Sequence, residues 1–480
     1  MNRTPPTVFL SIPQGSAAAN MLRRSALIDR LLDAHADARL VVFSPLVRDA
    51  AFVREFERPH VVFEDLPPHR PAGREARLLS LIQAGYLASE ASESVRIRRI
   101  EAEASGSVRW LRTKRALMRV AAPSMLDKAA RYRLIDRLVR HDWAEAMFGK
   151  YAPSLLVAAA PGLLFPEVPL LRTAARRGVR SMVADASWDN FTNKLLPARV
   201  VDRLLVWNDI MRDQAIALHG YPPDSVRVTG VPQFDPYFRK GTLSTRDAFF
   251  SRIGADPSRR LVTLTTTARA LYPHYERIIR MLADAIARDA WRTPAQLLVR
   301  VHPRDELDRY AAFSGVPHVF VEKPFRRTVN ADGLTVDIMP EDTRHLADTM
   351  AHSDVVISVV STISIEAAIF DTPIINVAFD GEQPEPFARS ARRYFRFTHF
   401  ANVLRHEPGS VAETPEQLVA QIGRYLADPS LEAAGRRKVV LEQCQFLDGR
   451  AAERVAQFVV DELADVCGGL RPRLATAAAH

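Results

Sequence analysis

The stretch Ser353–Ala368, SDVVISVVSTISIEAA, decides the fold class. The run Asp354–Val359 is apolar and short, as expected for a strand buried on both faces of a parallel sheet. A hydroxyl-rich turn follows it, and Ser364–Phe370 has the composition of a helix. A strand that passes through a tight polar turn into a helix is half of a βαβ unit, so the stretch predicts a parallel sheet covered by helices.

The same strand-turn-helix pattern recurs on both sides of this stretch. It predicts strands in two series, the first at 7–12, 39–43, 60–64, 154–158, 180–184, 202–207 and 225–230, and the second at 260–264, 295–301, 318–322, 354–359 and 373–378. A turn-rich passage lies between the series, so the domain boundary is placed between Asp235 and Asp256. The fold class predicted is α/β, with two Rossmann-like doubly wound domains.

Four regions are expected from this division. Residues 1–238 are predicted to form a first Rossmann-like domain with a basic helical insertion at about 74–150, and residues 239–440 a second Rossmann-like domain. A C-terminal helix is expected over 441–469 and a loose tail over 470–480.

The composition is that of a globular protein without export signals. Of the 480 residues 47% are hydrophobic and 25% charged, which excludes a disordered or collagen-like chain. Only Cys444 and Cys467 are present, so a disulfide framework is not expected. The apolar runs are far shorter than the roughly 20 residues of a membrane-spanning helix, and a cytoplasmic location is predicted.

The net charge of +9 is concentrated in one place, since residues 95–150 hold 14 Lys and Arg against 6 Asp and Glu. No nucleic-acid-binding motif accompanies the charge, so no nucleic-acid partner is expected. Between about Arg96 and Arg140 the cations alternate with apolar residues such as Trp110 and Leu117. This pattern predicts peripheral contact with an anionic membrane or a lipid-linked acceptor, and it equally fits a helix with a solvated face.

Three polar sites follow strands of the second series, where ligands of parallel sheets bind. Thr266 and Thr267 follow the first strand, and their hydroxyls and N–H groups are suited to bind an anion. The alternative is a threonine-rich strand end without a ligand. Arg269 lies just beyond them as a further cationic donor. His302 follows another strand, directly before a proline, and is either a phosphate ligand or a structural histidine.

The third site is the turn Ser361–Thr362. Its N–H groups and hydroxyls suit a phosphate, although either residue also suits a helix cap. Glu366 lies four residues past Thr362, one too many for a reciprocal capping box, and is placed to accept hydrogen bonds from a ribose.

In the first half, the loop Asp185–Lys194 follows a strand and is unusually polar and aromatic. Asp185 and Asp189 are candidate general bases, because a carboxylate can take the proton of an acceptor hydroxyl. Trp188 and Asn190 are candidate acceptor contacts, since sugar faces stack on indoles. The alternative is a loop with a capping aspartate and a core tryptophan.

The order of these motifs resembles the GT-B glycosyltransferases, and within them the CDP-glycerol glycerophosphotransferase-like and surface-polysaccharide transferases, over about residues 7–440. The resemblance implies that His302 and the Ser361–Thr362 pair hold the donor's phosphates and that Glu366 holds its ribose. It also identifies Gln14 and Gly15 with the opening loop of such enzymes, on the acceptor side.

The resemblance also implies that residues 1–238 bind the acceptor and that residues 239–440 bind the nucleotide sugar. The sequence departs from the family pattern mildly, because the family's Ser-Ser pair is Ser361–Thr362 here. The Ser-Gly-Gly of hydrolysing UDP-sugar epimerases is absent, which weakens an assignment as an epimerase. No Asp-x-Asp metal motif occurs, so no cofactor and no metal ligand are predicted, and cationic side chains with helix dipoles must stabilise the leaving nucleotide.

The function predicted is transfer of a sugar from a nucleotide-diphospho sugar to a glycan or lipid-linked acceptor in cell-surface polysaccharide or glycolipid synthesis. A UDP-sugar is preferred over a CDP-linked donor. Two alternatives stay open: a CDP-glycerol-type glycerophosphotransferase, and a nucleotide-sugar-binding protein without turnover.

Overall fold

The computed structural model describes residues 5–105, 135–160, 166–194, 199–324 and 336–468. Two sheets organise them, one of seven strands in the order β3-β2-β1-β4-β5-β6-β7 and one of six in the order β10-β9-β8-β11-β12-β13. Every neighbouring pair is parallel. The predicted α/β class with two doubly wound sheets is confirmed.

The strands lie within two residues of their predicted ends, except for β13, which the sequence analysis did not predict. In the first sheet they are β1 Thr7–Ser11, β2 Arg39–Phe43, β3 Val61–Glu64, β4 Leu155–Ala158, β5 Arg180–Ala184, β6 Arg203–Val206 and β7 Val226–Val228. In the second they are β8 Arg260–Thr265, β9 Ala295–Arg300, β10 Val319–Glu322, β11 Val355–Ser358, β12 Ile374–Val377 and β13 Ser410–Ala412.

Helices connect the strands across both faces of each sheet. The longer ones span Leu27–Ala34, Ala50–Phe56, Gly73–Ser89, Glu93–Ala104, Asp142–Tyr151, Val168–Arg177, Asp209–His219, Arg246–Ile253, Tyr275–Ala287, Pro340–His352, Ile363–Ile369, Thr398–Leu404, Pro415–Ala427, Ala433–Cys444 and Ala451–Gly468. The β1–β2 connection opens with the single turn Gly15–Ala17 and the π-helical stretch Ala18–Arg24.

The central strand β11 shows why the runs are continuously apolar. Val355 and Ile357 pack into one hydrophobic cluster, and Val356 between them packs into another. Because alternate side chains point to opposite faces, a strand covered by helices on both sides needs apolar residues at every position. All three are fully buried.

The C-terminal region differs from the single helix expected over 441–469. Two helices lie there, separated by a turn in which Gln445 and Gly449 have positive φ angles of 63° and 65°. The second helix, Ala451–Gly468, returns to the first sheet, where Glu462 accepts hydrogen bonds from Arg180 and Arg203. The chain therefore passes between the two sheets twice.

The insertion is described in part. Residues 106–134, which include Trp110 and Leu117, lie outside the described residues. The described cations Arg96, Arg98 and Arg99 each form an ion pair with a glutamate of their own neighbourhood. Within the described ranges, every helix is too short or too polar to cross a bilayer.

Candidate active site

A cavity of about 280 Å³ lies between the carboxyl ends of the two sheets. Its lining comes from the loop after β5, from the insertion, and from three segments of the second half. The side chains include Arg98, Trp188, Asp189, Asn193 and Lys194 on one side and Thr267, Ser361, Tyr394, Phe397 and His399 on the other. Asp189 and Trp188 thus face Thr267 and Ser361, as the sequence predicts for a cleft between the halves.

Asp189 is held as a charged carboxylate. Its Oδ1 accepts hydrogen bonds from the Ser187 hydroxyl at 2.5 Å and from Lys194 Nζ at 2.9 Å, and its Oδ2 accepts one from Asn193 Nδ2 at 3.2 Å. Burial raises the pKa of Asp189, but Lys194 and His399 outweigh it and hold the pKa well below its usual range. The carboxylate is therefore fixed and ionised.

His399 faces the same cavity from the second half. Its ring is buried, and burial lowers its pKa to about 4 although Asp189 acts in the opposite direction. The imidazole is consequently neutral near pH 7. Within the described residues its Nδ1 has no hydrogen-bond partner. A neutral imidazole nitrogen with this freedom can accept a proton.

Trp188 is fixed rather than free at the cavity wall. Its ring packs edge-on against His399 at 4.9 Å and against Phe400 at 6.3 Å, and only 7% of its surface is exposed. The insertion contributes Arg98, whose Nε donates to Asn193 Oδ1 at 2.8 Å. The insertion thus supports the loop that carries Asp189.

Asp185 and Asn190 lie apart from this cavity. Asn190 Nδ2 and the Ser187 N–H donate to Asp185 Oδ1, while Asp185 Oδ2 has no partner among the described residues. Burial raises the pKa of Asp185 to about 7. The residue lines a separate cavity of about 20 Å³, which has room for a single water molecule.

A second buried carboxyl, Glu167, lies near Asp185. Glu167 Oε1 accepts a hydrogen bond from the Ala159 N–H at 2.7 Å, and Oε2 is buried without a partner in the described structure. Burial, reinforced by the charge of Asp185, raises the pKa of Glu167 to about 8. Two carboxyls that resist ionisation therefore lie at the carboxyl ends of β4 and β5.

In the second half, the threonine run and His302 are directly linked. Thr266 Oγ1 accepts the His302 N–H at 2.8 Å, and His302 Nδ1 accepts the Arg304 N–H at 3.1 Å. The ring proton therefore sits on Nε2, which is a donor. Burial and then Arg304 lower the pKa of His302 to about 4, so it donates as a neutral group. His302 does not line the 280 Å³ cavity.

The turn Ser361–Thr362 joins this cavity to a second one. Ser361 lines the first cavity, and Thr362 lines a neighbouring cavity of about 140 Å³. The N–H groups of Ile363 and Ser364 donate to the Ser361 hydroxyl and carbonyl. Fewer N–H groups are free here than the sequence suggests.

Glu366 and Tyr237 pair across the two halves in the second cavity. Glu366 accepts hydrogen bonds from Tyr237 OH at 2.6 Å and Thr362 Oγ1 at 3.1 Å. Burial raises its pKa. Both carboxyl oxygens are thus engaged, and a ribose would compete with Tyr237. Arg24 lines the same cavity and donates to Thr343 Oγ1 at 2.6 Å.

Arg300 is a buried cation at the end of β9. Its Nη1 donates to Glu322 Oε1 at 2.6 Å, whereas its buried Nη2 has no partner in the described ranges. The positive charge of Arg300 acts to lower the pKa of Glu366, although burial raises that pKa overall. Arg300 is therefore close enough to influence a group in the second cavity. An unpartnered guanidinium nitrogen suits an anion.

The structure places the remaining predicted residues elsewhere. Arg269 is exposed and lines a separate groove with His274 and Arg389. Gln14 caps the turn Gly15–Ala17, where its carbonyl accepts two N–H groups. A Cβ atom on Gly15 would lie 1.9 Å from the Val336 carbonyl oxygen, so Gly15 permits close contact between the halves.

Comparison with known proteins agrees with this architecture. A family model described as CDP-Glycerol:Poly(glycerophosphate) glycerophosphotransferase matches residues 173–461. The chain belongs to this family. The match includes both the Asp185–Lys194 loop and the His302, Ser361 and Glu366 positions. Membership of a transferase family and the predicted resemblance are thereby confirmed.

A curated relative also matches part of the chain. The lipid-A-disaccharide synthase of Syntrophotalea carbinolica (strain DSM 2380 / NBRC 103641 / GraBd1) is 26% identical over 287 residues, which are 56% of this chain and 64% of that protein. The chain therefore spans less than two thirds of that relative's length.

Solved structures share the fold at low identity. The S. aureus MnaA–UDP co-structure has a TM-score of 0.54 at 12% identity, covering 96% of this chain and 97% of that one. UDP-GlcNAc 2-epimerase from Neisseria meningitidis, bound to UDP-GlcNAc, has a TM-score of 0.53 at 9% identity, covering 95% and 100%. These likenesses show the GT-B fold alone.

Sequence analysis missed His399, Lys194 as the partner of Asp189, Glu167 and Arg300. Lys194 ends the polar loop that was singled out, so its proximity to Asp189 in sequence was an available signal. His399 carries no motif, and it reaches the cavity only because the segment after β12 packs beside Trp188.

Proposed function

We propose that this protein transfers a sugar from a nucleotide-diphospho sugar to the hydroxyl of a glycan or lipid-linked acceptor in cell-surface polymer synthesis. The observation that carries the proposal is the shared cavity. It brings the ionised Asp189 and the neutral His399 to the residues Thr267 and Ser361, which follow donor-side strands. Transfer between two bound molecules requires the base and the donor site to lie in the same cavity.

The chemistry assigned to the cavity is a single displacement. The acceptor hydroxyl oxygen attacks the anomeric carbon, its proton passes to His399 Nδ1, and the bond from that carbon to the diphosphate breaks. Asp189 stabilises the imidazolium that forms, since its charge favours protonation of His399. The charge that develops on the departing nucleotide diphosphate is met by His302 and Arg300.

Two variants test the base. We expect His399→Gln and Asp189→Asn to lower the turnover rate by about 10² to 10⁴, the usual contribution of a general base, with nearly unchanged donor affinity. His406→Gln, two residues after the end of the helix Thr398–Leu404, is the matched control. Normal turnover in both variants would contradict the assignment and point to Asp185, whose pKa of about 7 suits a base.

The donor side is tested by binding. His302→Ala should weaken a nucleotide diphosphate at least tenfold, because a hydrogen bond to a charged group contributes about 1.5 to 3 kcal/mol. Affinity for the free nucleoside should barely change. His318→Ala, at the amino end of β10, is the control. Equal losses for the diphosphate and the nucleoside would show a folding role for His302 instead.

A second candidate function is transfer of glycerol phosphate from CDP-glycerol, and the family's description favours it. The acceptor oxygen would then attack phosphorus, and CMP would leave. Incubation with UDP-sugars and with CDP-glycerol separates the two functions, because one releases UDP and the other releases CMP. A protein that binds these donors without turnover would refute both.

The proposed acceptor includes lipid-linked glycans at the inner face of the membrane. The basic insertion supports this proposal through its composition, and half of its Lys and Arg residues lie in residues 106–134, outside the described structure. Sedimentation with anionic and neutral vesicles tests it. Binding to anionic vesicles alone, lost at high salt, is expected.

A further inference from the structure

The two ends of the insertion meet in one buried cluster of possible metal ligands. His69 follows β3, Glu75 lies in the first turn of the helix Gly73–Ser89, and His141 precedes the helix Asp142–Tyr151. Their side chains are 6%, 10% and 9% exposed. Each offers one ligand atom, and the three atoms lie within 4.8 Å of one another.

Two of the three separations are close to those of ligands around a tetrahedral ion. His69 Nε2 lies 3.3 Å and His141 Nε2 lies 3.7 Å from Glu75 Oε1. Zinc bonds to nitrogen and oxygen are about 2.0 to 2.2 Å long, so two ligands at the tetrahedral angle are about 3.3 to 3.6 Å apart. The two imidazole rings are nearly perpendicular, at 85°, and therefore approach Glu75 from different directions.

The hydrogen bonding of the cluster is incomplete without an ion. Both Nε2 atoms are buried and have no hydrogen-bond partner in the described part of the chain. Such an atom is costly to bury, and histidine nitrogens are preferred ligands of transition metals.

Arg172 completes the surroundings. Its side chain is fully buried, and Nη1 donates to Glu75 Oε1 at 2.6 Å. An ion pair alone would explain Glu75 and Arg172 but would leave both imidazoles beside Oε1 without a bond. In metal sites, a ligating carboxylate is commonly oriented by such an outer partner.

We infer that His69, Glu75 and His141 bind a divalent transition-metal ion, with Zn²⁺ as the expected occupant. The site is structural, because its ligands are buried and none of them lines either cleft cavity. It fastens both ends of the insertion to the helix Val168–Arg177, which carries Arg172. Sequence analysis predicted no metal ligand. About 70 residues separate the two histidines, so no short motif indicates this site.

Metal content tests the inference directly. The full chain, purified without an affinity tag that binds metal, is expected to contain one Zn²⁺ per chain by mass spectrometry. After stripping with a chelator, addition of Zn²⁺ should raise the melting temperature. X-ray absorption should show nitrogen and oxygen ligands at about 2.0 to 2.2 Å and no sulfur. A stripped protein that neither binds Zn²⁺ nor gains stability from it would overturn the inference.

Variants locate the ion. His69→Ala combined with His141→Ala should abolish stoichiometric Zn²⁺, and Glu75→Gln, which retains an acceptor for Arg172, should weaken binding by more than the 10- to 100-fold typical of outer-sphere changes. His35→Ala is the control, because among the described residues its buried Nε2 has no hydrogen-bond partner and no further metal ligands converge on it. Full Zn²⁺ retention in the Glu75→Gln protein and in the double variant would place the ion elsewhere and refute the site.

Discussion

Replacing Glu167 by glutamine should make the stability of the folded chain less sensitive to a rise in pH between about 4.5 and 8. Glu167 is fully buried, and its pKa is raised from an ordinary 4.5 to about 8. A raised carboxyl pKa means that the folded state holds its proton more tightly than the unfolded state does. The resulting penalty is absent below pH 4.5, grows as the pH rises, and is complete above pH 8.

The size of the effect follows from the two pKa values. Each pH unit between them costs about 1.4 kcal/mol, so the penalty of the wild-type chain is about 1 kcal/mol at pH 5 and about 4 kcal/mol at pH 7.5. Glutamine keeps an oxygen for the Ala159 N–H and carries no charge. The free energy of unfolding of Glu167→Gln, relative to wild type, should therefore be roughly 3 kcal/mol higher at pH 7.5 than at pH 5.

Urea denaturation at the two pH values measures this difference, with fluorescence and circular dichroism as parallel probes. Glu57→Gln is the control, because Glu57 is exposed and its replacement removes no buried charge. The same stability difference between Glu167→Gln and wild type at both pH values would refute the argument. It would mean that water reaches Glu167, and that Glu167 is ionised beside Asp185 at neutral pH.

Two further predictions concern the cleft. Lys194→Met should raise the pKa of His399, because the charge of Lys194 acts to lower it, and should move the acid limb of the pH–rate profile upward by no more than about one pH unit, since a half-exposed charge contributes about 1 kcal/mol or less; an unmoved limb would show that His399 is not the base. Gly15→Ala should destabilise the protein by about 1 to 3 kcal/mol, because the added Cβ would meet the Val336 backbone. It should also increase the radius of gyration measured by small-angle scattering. An unchanged melting temperature would contradict this close contact.

The fold could be predicted because its signal is local. The stretch predicted as a strand over 354–359 is the strand Val355–Ser358, and the helix predicted over Ser364–Phe370 is the helix Ile363–Ile369. Burial on both faces requires continuous apolar runs, which stand out in sequence. The π-helical stretch Ala18–Arg24 has no comparable signal in the sequence.

The site was predictable only where its residues directly follow strands. Asp189 and Ser361 come after β5 and β11, and the doubly wound topology brings such positions to one cleft. His399 and Arg300 could not be found in this way. His399 depends on packing against Trp188, more than 200 residues away in sequence, and Arg300 lies within a strand whose alternate residues are apolar. The raised pKa values of Asp185 and Glu167 could not be predicted from the sequence either, because they result from burial in the folded protein.

The pairing of Glu366 with Tyr237 links donor binding to the relation between the halves. Glu366 belongs to the second half, and Tyr237 belongs to the passage that leaves the first. If a ribose binds Glu366, its hydroxyls replace the Tyr237 hydroxyl as donors, because Thr362 occupies the other oxygen. Tyr237 then loses its hydrogen bond to the second half and keeps its ring contact with Phe370. A donor nucleotide would thus break one hydrogen bond between the halves as it enters. The buried Glu366 carboxyl would keep a hydrogen-bond partner throughout, which a buried polar group requires.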